Sequence, residues 1–117
     1  VCVQVNVSGE ASKSGVLPSE ALPLALSIAA LPNLTLRGLM AIPEPTEDEV
    51  LQRSCFAELT RLFQEIRAKL PTPQQAVFDT LSMGMSADLE AAVAESLPQA
   101  TTMVRVGTAL FGSRAAK

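Results

Sequence analysis

The chain has 117 residues, 48% of them hydrophobic and 3% aromatic, with no His, Trp or Tyr and a formal charge of -3, so it has room for one core, built from Leu, Val, Ile, Ala and Met in the manner of an α/β interior. Nine Lys and Arg against twelve Asp and Glu leave no basic excess to neutralise phosphate backbones, and no basic stripe interleaved with aromatics offers a platform for bases, which argues against a nucleic-acid partner. No apolar run approaches the roughly 20 residues of a membrane span, and no charged n-region followed by an apolar h-region opens the chain, so no membrane association and a cytoplasmic, soluble protein are expected.

Val1 to Val7 carries Val at every odd position and stops at Ser8-Gly9-Glu10, which predicts a strand followed by a turn. The chain therefore opens inside a strand without an initiator Met, and further sequence is expected before it. Residues 11–18 are rich in Ser, Lys and Gly and read as a loop. Leu22, Leu26 and Ala29 then recur at helical spacing, with Ser19 as N-cap, Pro23 tolerable near the first turn, and Pro32-Asn33 as the stop.

Leu34 to Ile42 is β-like and is closed by Pro43 and Pro45. Thr46 and Glu49 have capping-box spacing at the start of a long helix. Its inward face is traced by Leu51, Cys55, Leu59, Leu62, Ile66 and Leu70, and Pro71 and Pro73 end it. Val77 to Ser82 is a third strand. Ser86 is a candidate cap for a helix running to about Leu97, with Leu89, Val93 and Leu97 inward, and Thr101 to Val106 is a fourth strand. Cys2 and Cys55 fall in a strand and a helix at neither metal-ligand nor redox spacing, which predicts buried thiols and no metal site.

Strands alternating with helices at this spacing indicate parallel βαβ units, hence a doubly wound sheet or part of a barrel, and periodicity does not choose between them. In either architecture ligands bind at the C-terminal ends of the strands. Two segments there could carry chemistry. In Ser82-Met83-Gly84-Met85-Ser86, Gly84 allows backbone amides to turn toward a ligand, and Ser86 combines a hydroxyl with the free amides of a helix start, which suits a phosphate. An ordinary strand-to-helix turn with Ser86 as a mere cap stays open, and Asp88 favours it, because a carboxylate in the first turn already answers the helix dipole.

In the second segment, Arg105 alternates onto the face opposite Val104 and Val106, which in a barrel is the interior. A guanidinium there cannot shed its proton and needs an acceptor, either a structural carboxylate or a bound ligand. Gly107 and Thr108 add two amides and a hydroxyl, another possible half of a phosphate cradle.

Arg37-Gly38-Leu39-Met40-Ala41-Ile42, then Ser82-Met83-Gly84-Met85-Ser86-Ala87-Asp88, then Val104-Arg105-Val106-Gly107-Thr108-Ala109-Leu110-Phe111-Gly112 resemble, in this order, the C-terminal half of the YggS/PROSC family of pyridoxal 5'-phosphate (PLP)-binding proteins. Gln4-Val5-Asn6-Val7-Ser8 and the loop Ser12-Lys13-Ser14-Gly15 fit as well, so the resemblance spans essentially the whole chain. It implies an α/β fold that is about half of a PLP-binding (β/α)8 TIM barrel of fold-type III, like the alanine racemase N-terminal domain. Residues 1–117 would be the C-terminal half of a single barrel domain whose N-terminal half is absent.

The same resemblance implies that Ser86, Gly107 and Thr108 hold the cofactor phosphate, with Gly84 and Met85 in the same corner, and that Arg105 faces the pyridine nitrogen. A permanently positive guanidinium disfavours protonation of that nitrogen and weakens the ring as an electron sink. The Schiff-base lysine is expected in the missing half, since Lys13, Lys69 and Lys117 occupy a loop, a helix end and the tail. The function implied is a non-catalytic carrier in PLP homeostasis, monomeric when complete. No catalytic acid or base is evident. An amino-acid racemase or decarboxylase barrel is the alternative, although such enzymes carry a further β domain and this chain stops soon after Gly112. A response-regulator-like doubly wound domain is a third reading, but no acidic pair follows the first strand.

Overall fold

In the computed structural model, which describes residues 1–7, 15–43, 46–98 and 100–112, the strands lie parallel in the order in which the chain makes them. They are β1 (Cys2–Gln4), β2 (Gly38–Met40), β3 (Thr80–Met85) and β4 (Thr101–Arg105), in one sheet ordered β1-β2-β3-β4. Helices α1 (Pro18–Ala29), α2 (Glu49–Lys69), α3 (Thr72–Val77), α4 (Leu89–Ala94) and α5 (Thr108–Phe111) are interleaved with them. A doubly wound sheet reverses its order at a switch point. This sheet never reverses; each strand adds beside the last, as successive βα units of a barrel do. The structure thus decides what the hydrophobic periodicity leaves open.

The register explains which face is core. Val3 pairs with Leu39 and Leu39 with Leu81, and these three are buried together with Val5, Ala41 and Met83 under the helices. The opposite face aligns Cys2, Gly38, Thr80 and Thr101 in one row and Gln4, Met40, Ser82 and Met103 in the next. That row mixes small, polar and exposed residues: Met103 is 52% exposed while Ser82 is buried. Helices cover one face, and the other is the face that a closed barrel encloses.

β2 and β3 approach closely at Gly38, where a Cβ would stand 1.6 Å from the Thr80 carbonyl oxygen. At this same end of the sheet, away from the strand C-termini, the Arg37 guanidinium grips the Asp79 carboxylate through NH2 at 2.9 and 3.0 Å and donates from Nε to the Val77 carbonyl at 3.0 Å.

Several local expectations need correction, and most share one cause. The inward face of α1 is Ala21 and Ala25, with Leu26 exposed, and that of α4 is Ala91 and Ala92, with Val93 exposed. Small side chains let these helices lie close to the sheet, whereas reading the larger apolar residues as inward rotates each helix by part of a turn. In α2, Leu51 is exposed and Cys55 half-buried, while Phe56 and Phe63 join Leu59, Leu62 and Ile66 in the core. Phe63 stacks on Phe78 at 4.6 Å between ring centroids.

The caps also differ. Asp48, not Thr46, caps α2, accepting from the Val50 and Leu51 amides at 2.9 and 3.4 Å. Thr46 instead accepts from the Asp48 amide at 3.1 Å. α1 begins at Pro18 behind Leu17, which places Ser19 inside the helix and Pro23 in its second turn rather than its first. Ser86 lies before α4, whose N-cap is Asp88, and the helix ends at Ala94, so Leu97 packs on the core from beyond it.

Pro73 does not close a helical region but sits near the start of α3, where a proline is tolerated. That helix takes up Val77 and moves β3 to Thr80–Met85. Cys2 is exposed and Cys55 half-buried, not fully buried as expected, yet desolvation still pushes both thiols above their usual pKa, which makes neither a ready nucleophile. Among the described residues no helix is long and apolar enough to cross a membrane, and no cluster of His, Cys, Asp and Glu could hold a metal ion.

Candidate functional site

β3 gains one residue on β4 between the pairs Ser82↔Met103 and Met85↔Arg105. This bulge shifts the side-chain phase, so Met85 rather than Gly84 shares a face with Arg105. Gly84 makes the shift possible. Its φ is +100°, and a Cβ there would come within 2.7 Å of the Ala92 Cβ on α4 and 3.3 Å of Val104 Cγ1. The bulge therefore needs a residue without a side chain.

The two corners singled out by sequence leave adjacent strands from the same end of the sheet. Ser86, half-buried, follows Met85, and Gly107 and Thr108 follow Arg105 and Val106. Gly107 is open on its Cβ side, with no heavy atom of the described residues other than its chain neighbours within 4 Å. Its carbonyl accepts from the Leu110 and Phe111 amides at 3.1 and 2.7 Å, which makes Gly107 the N-cap of α5 with Thr108 exposed at the helix start.

Arg105 is half-buried and reaches over β3 to donate from NH2 to the Ala41 carbonyl at 2.9 Å. Its Nε is buried without a hydrogen-bond partner, and no carboxylate among the described residues forms an ion pair with it. The structural carboxylate considered above is therefore not its partner here. A buried guanidinium N–H without an acceptor is costly. It is the unmet donor that a ligand with a lone pair would satisfy.

At the neighbouring corner the Met85 amide is already engaged, donating to Asp88 Oδ1 at 2.7 Å. Met85 can therefore serve a ligand through its side chain, 43% exposed on the Arg105 face, but not through its N–H. Asp88 makes no side-chain bond to the α4 amides. Behind this corner, between it and the start of α2, a cleft of about 510 Å³ is edged by Glu47, Glu49, Asp88 and Glu90. Ser86 also lines this cleft, and four carboxylates make it hostile to an anion.

Sequence reasoning does not single out three features at this end of the sheet. Asn6, buried just after β1 at the same end of the sheet, carries the signal of a polar residue inside a Val repeat. Asp88 was seen only as a helix-start carboxylate. The Ala41 carbonyl has no side-chain signature and was not legible. Of the lysines, Lys69 is exposed at the end of α2, outside the sheet; Lys13 and Lys117 lie outside the described residues.

The family model of the alanine racemase N-terminal domain matches residues 1–115. The chain belongs to that family. Within it, a pyridoxal phosphate homeostasis protein of Pseudomonas aeruginosa is 54% identical over 114 residues, covering 97% of this chain and 44% of the relative. The protein of the same name in Escherichia coli is 45% identical, covering 97% of this chain and 45% of the relative. Among solved structures, an unknown protein from Bifidobacterium adolescentis superposes with a TM-score of 0.83 at 41% identity, over 95% of this chain and 42% of that one. PipY of Synechococcus elongatus with PLP bound gives a TM-score of 0.71 at 32% identity, over 95% of this chain and 48% of that one. The chain spans somewhat under half the length of the relatives it matches.

Proposed function

We propose that residues 1–117 form the C-terminal half of a single PLP-binding barrel that carries the cofactor in PLP homeostasis without turning over a substrate of its own. The observation that carries this reading is the buried, unpartnered Nε of Arg105 beside the bulged end of β3. PLP offers a pyridine nitrogen with a lone pair for the unpartnered guanidinium Nε and a phosphate for the hydroxyls of Ser86 and Thr108 and the Gly107 backbone. The names of the relatives and the PLP held by PipY point to the same ligand.

Bound PLP supplies an electron-withdrawing ring and an aldehyde that condenses with amines. The Arg105 guanidinium opposes a proton on the ring nitrogen and so blunts the ring as an electron sink. Met85 covers the same face, and the absence of His and Tyr from the chain leaves few groups able to shuttle protons near neutrality. The amine that would hold the aldehyde is expected from the preceding half of the barrel, in a cytoplasmic, monomeric whole.

The test is to load the full-length protein with PLP, dialyse it, and record the bound chromophore. It is then incubated with amino acids while enantiomer ratio and amine products are followed. Retained PLP with no product is expected. Steady racemisation or decarboxylation would replace the carrier reading by that of an enzyme, and loss of PLP on dialysis would remove the cofactor reading altogether.

A further inference from the structure

We infer that Asp88 is a positioning residue for the cofactor site: its carboxylate fixes the corner after β3 in the phase that puts Met85 on the Arg105 face and sets the turn that bears Ser86. The inference rests on the PLP reading above and adds to it a residue that need not touch the ligand. Asp88 takes hold of Met85 twice, accepting from its amide at Oδ1 over 2.7 Å and donating from its own amide to the Met85 carbonyl over 3.3 Å. Ser86 and Ala87 are the apex of the loop so closed.

The plain alternative is that Asp88 caps α4. It does not: Asp88 has the N-cap position but its side chain bonds no α4 amide, and Glu90 is the acidic residue of the first turn. The carboxylate is turned back to the strand. There it meets a specific need, because the bulge that rotates Met85 onto the Arg105 face takes the strand end out of regular register, and a strand-end N–H left without an acceptor would favour relaxation to another phase. Gly84 against Ala92 holds the bulge from the helix side, and Asp88 holds it from the loop side. A one-residue relaxation would carry Met85 to the opposite face of the sheet and displace the turn that bears Ser86.

Geometry, not charge, is the operative property, and two substitutions in the full-length protein separate them. Asp88→Asn keeps an acceptor at the same reach and removes the charge; Asp88→Glu keeps the charge and displaces the acceptor by a methylene. Affinities for PLP and for pyridoxal, which lacks the phosphate, are measured for each, together with hydrogen exchange of the Met85 amide. The Asn variant is expected to keep the ratio of PLP to pyridoxal affinity within about threefold of the parent, and the Glu variant to lower it roughly tenfold or more through weaker PLP binding alone, with faster Met85 exchange.

An unchanged ratio in the Glu variant overturns the inference. So does a loss in the Asn variant as large as that in the Glu variant, or an equal fall in both affinities, which would mark a general structural role. Failure of the parent protein to bind PLP would instead defeat the cofactor reading, and the two failures are read from different samples.

Discussion

The Arg105 guanidinium bonds the Ala41 carbonyl at 2.9 Å although 64 positions separate the two residues, and β3 lies between β4, which carries Arg105, and β2, which Ala41 follows. One N–H group is thereby spent on the scaffold, which fixes the plane of the fork and leaves Nε buried and available. A lysine can supply the charge but not both directions at once. Arg105→Lys in the full-length protein is therefore expected to lower PLP affinity by roughly tenfold or more, and Arg105→Ala by at least as much. Equilibrium titration of the cofactor chromophore checks this; parent-like affinity in the Lys variant would show that a positive charge alone suffices.

Ser86→Ala and Thr108→Val remove hydroxyls from the two corners. Each loss is expected to weaken PLP binding by about 1–3 kcal/mol, with pyridoxal binding unchanged, because only the phosphate would meet these groups. Competition titrations with the two ligands measure the difference directly.

Gly84→Ala meets two obstacles, a φ of +100° and an Ala92 Cβ 2.7 Å away. A left-handed backbone strain and an overpacked contact together should lower stability by roughly 2–5 kcal/mol. Urea denaturation is the measurement. Adding Ala92→Gly relieves the contact but not the φ, so the double variant should recover only part of the loss.

Asp79 gives a pH prediction at the opposite end of the sheet. Partial burial raises its carboxyl pKa, but hydrogen bonds from Arg37 and Thr80 and the charge of Arg37 outweigh this, and the net shift is downward. A carboxylate with a depressed folded-state pKa stabilises the fold above its unfolded value, about 3.9, and loses that contribution as pH falls through the lower folded value. Asp79→Asn should therefore be less stable than the parent at pH 7, with the gap closing as pH drops from about 4 toward the folded pKa. Because Asp79 is partly exposed, the gap should also shrink in high salt. Thermal melts at the two pH values test it.

The alternation of four strands with three of the helices, and the placing of two Gly-containing corners at one end of the sheet, were legible in the sequence because they depend on periodicity and on the residues at strand ends. The strand order was not, since the period of a strand carries no record of its neighbour. The helix faces were misread at Leu26 and Val93 for a physical reason: bulk signals burial in general, but a helix laid close on a sheet buries alanine. α3 was hidden by Pro73, which stops a helix in its interior yet suits its first turn. The bulge at Gly84 left one trace, the glycine itself, and only the pairing of Met85 with Arg105 shows what that glycine is for.

The agreement between chain order and strand order has a consequence for biogenesis. Each newly synthesised strand finds its hydrogen-bonding neighbour already laid down beside it, so the arc can grow vectorially as the polypeptide leaves the ribosome, without waiting for a distant segment. The same arrangement keeps an unsatisfied rim of peptide groups travelling with the growing end, and a nascent chain stalled at this stage would be a natural client for a chaperone.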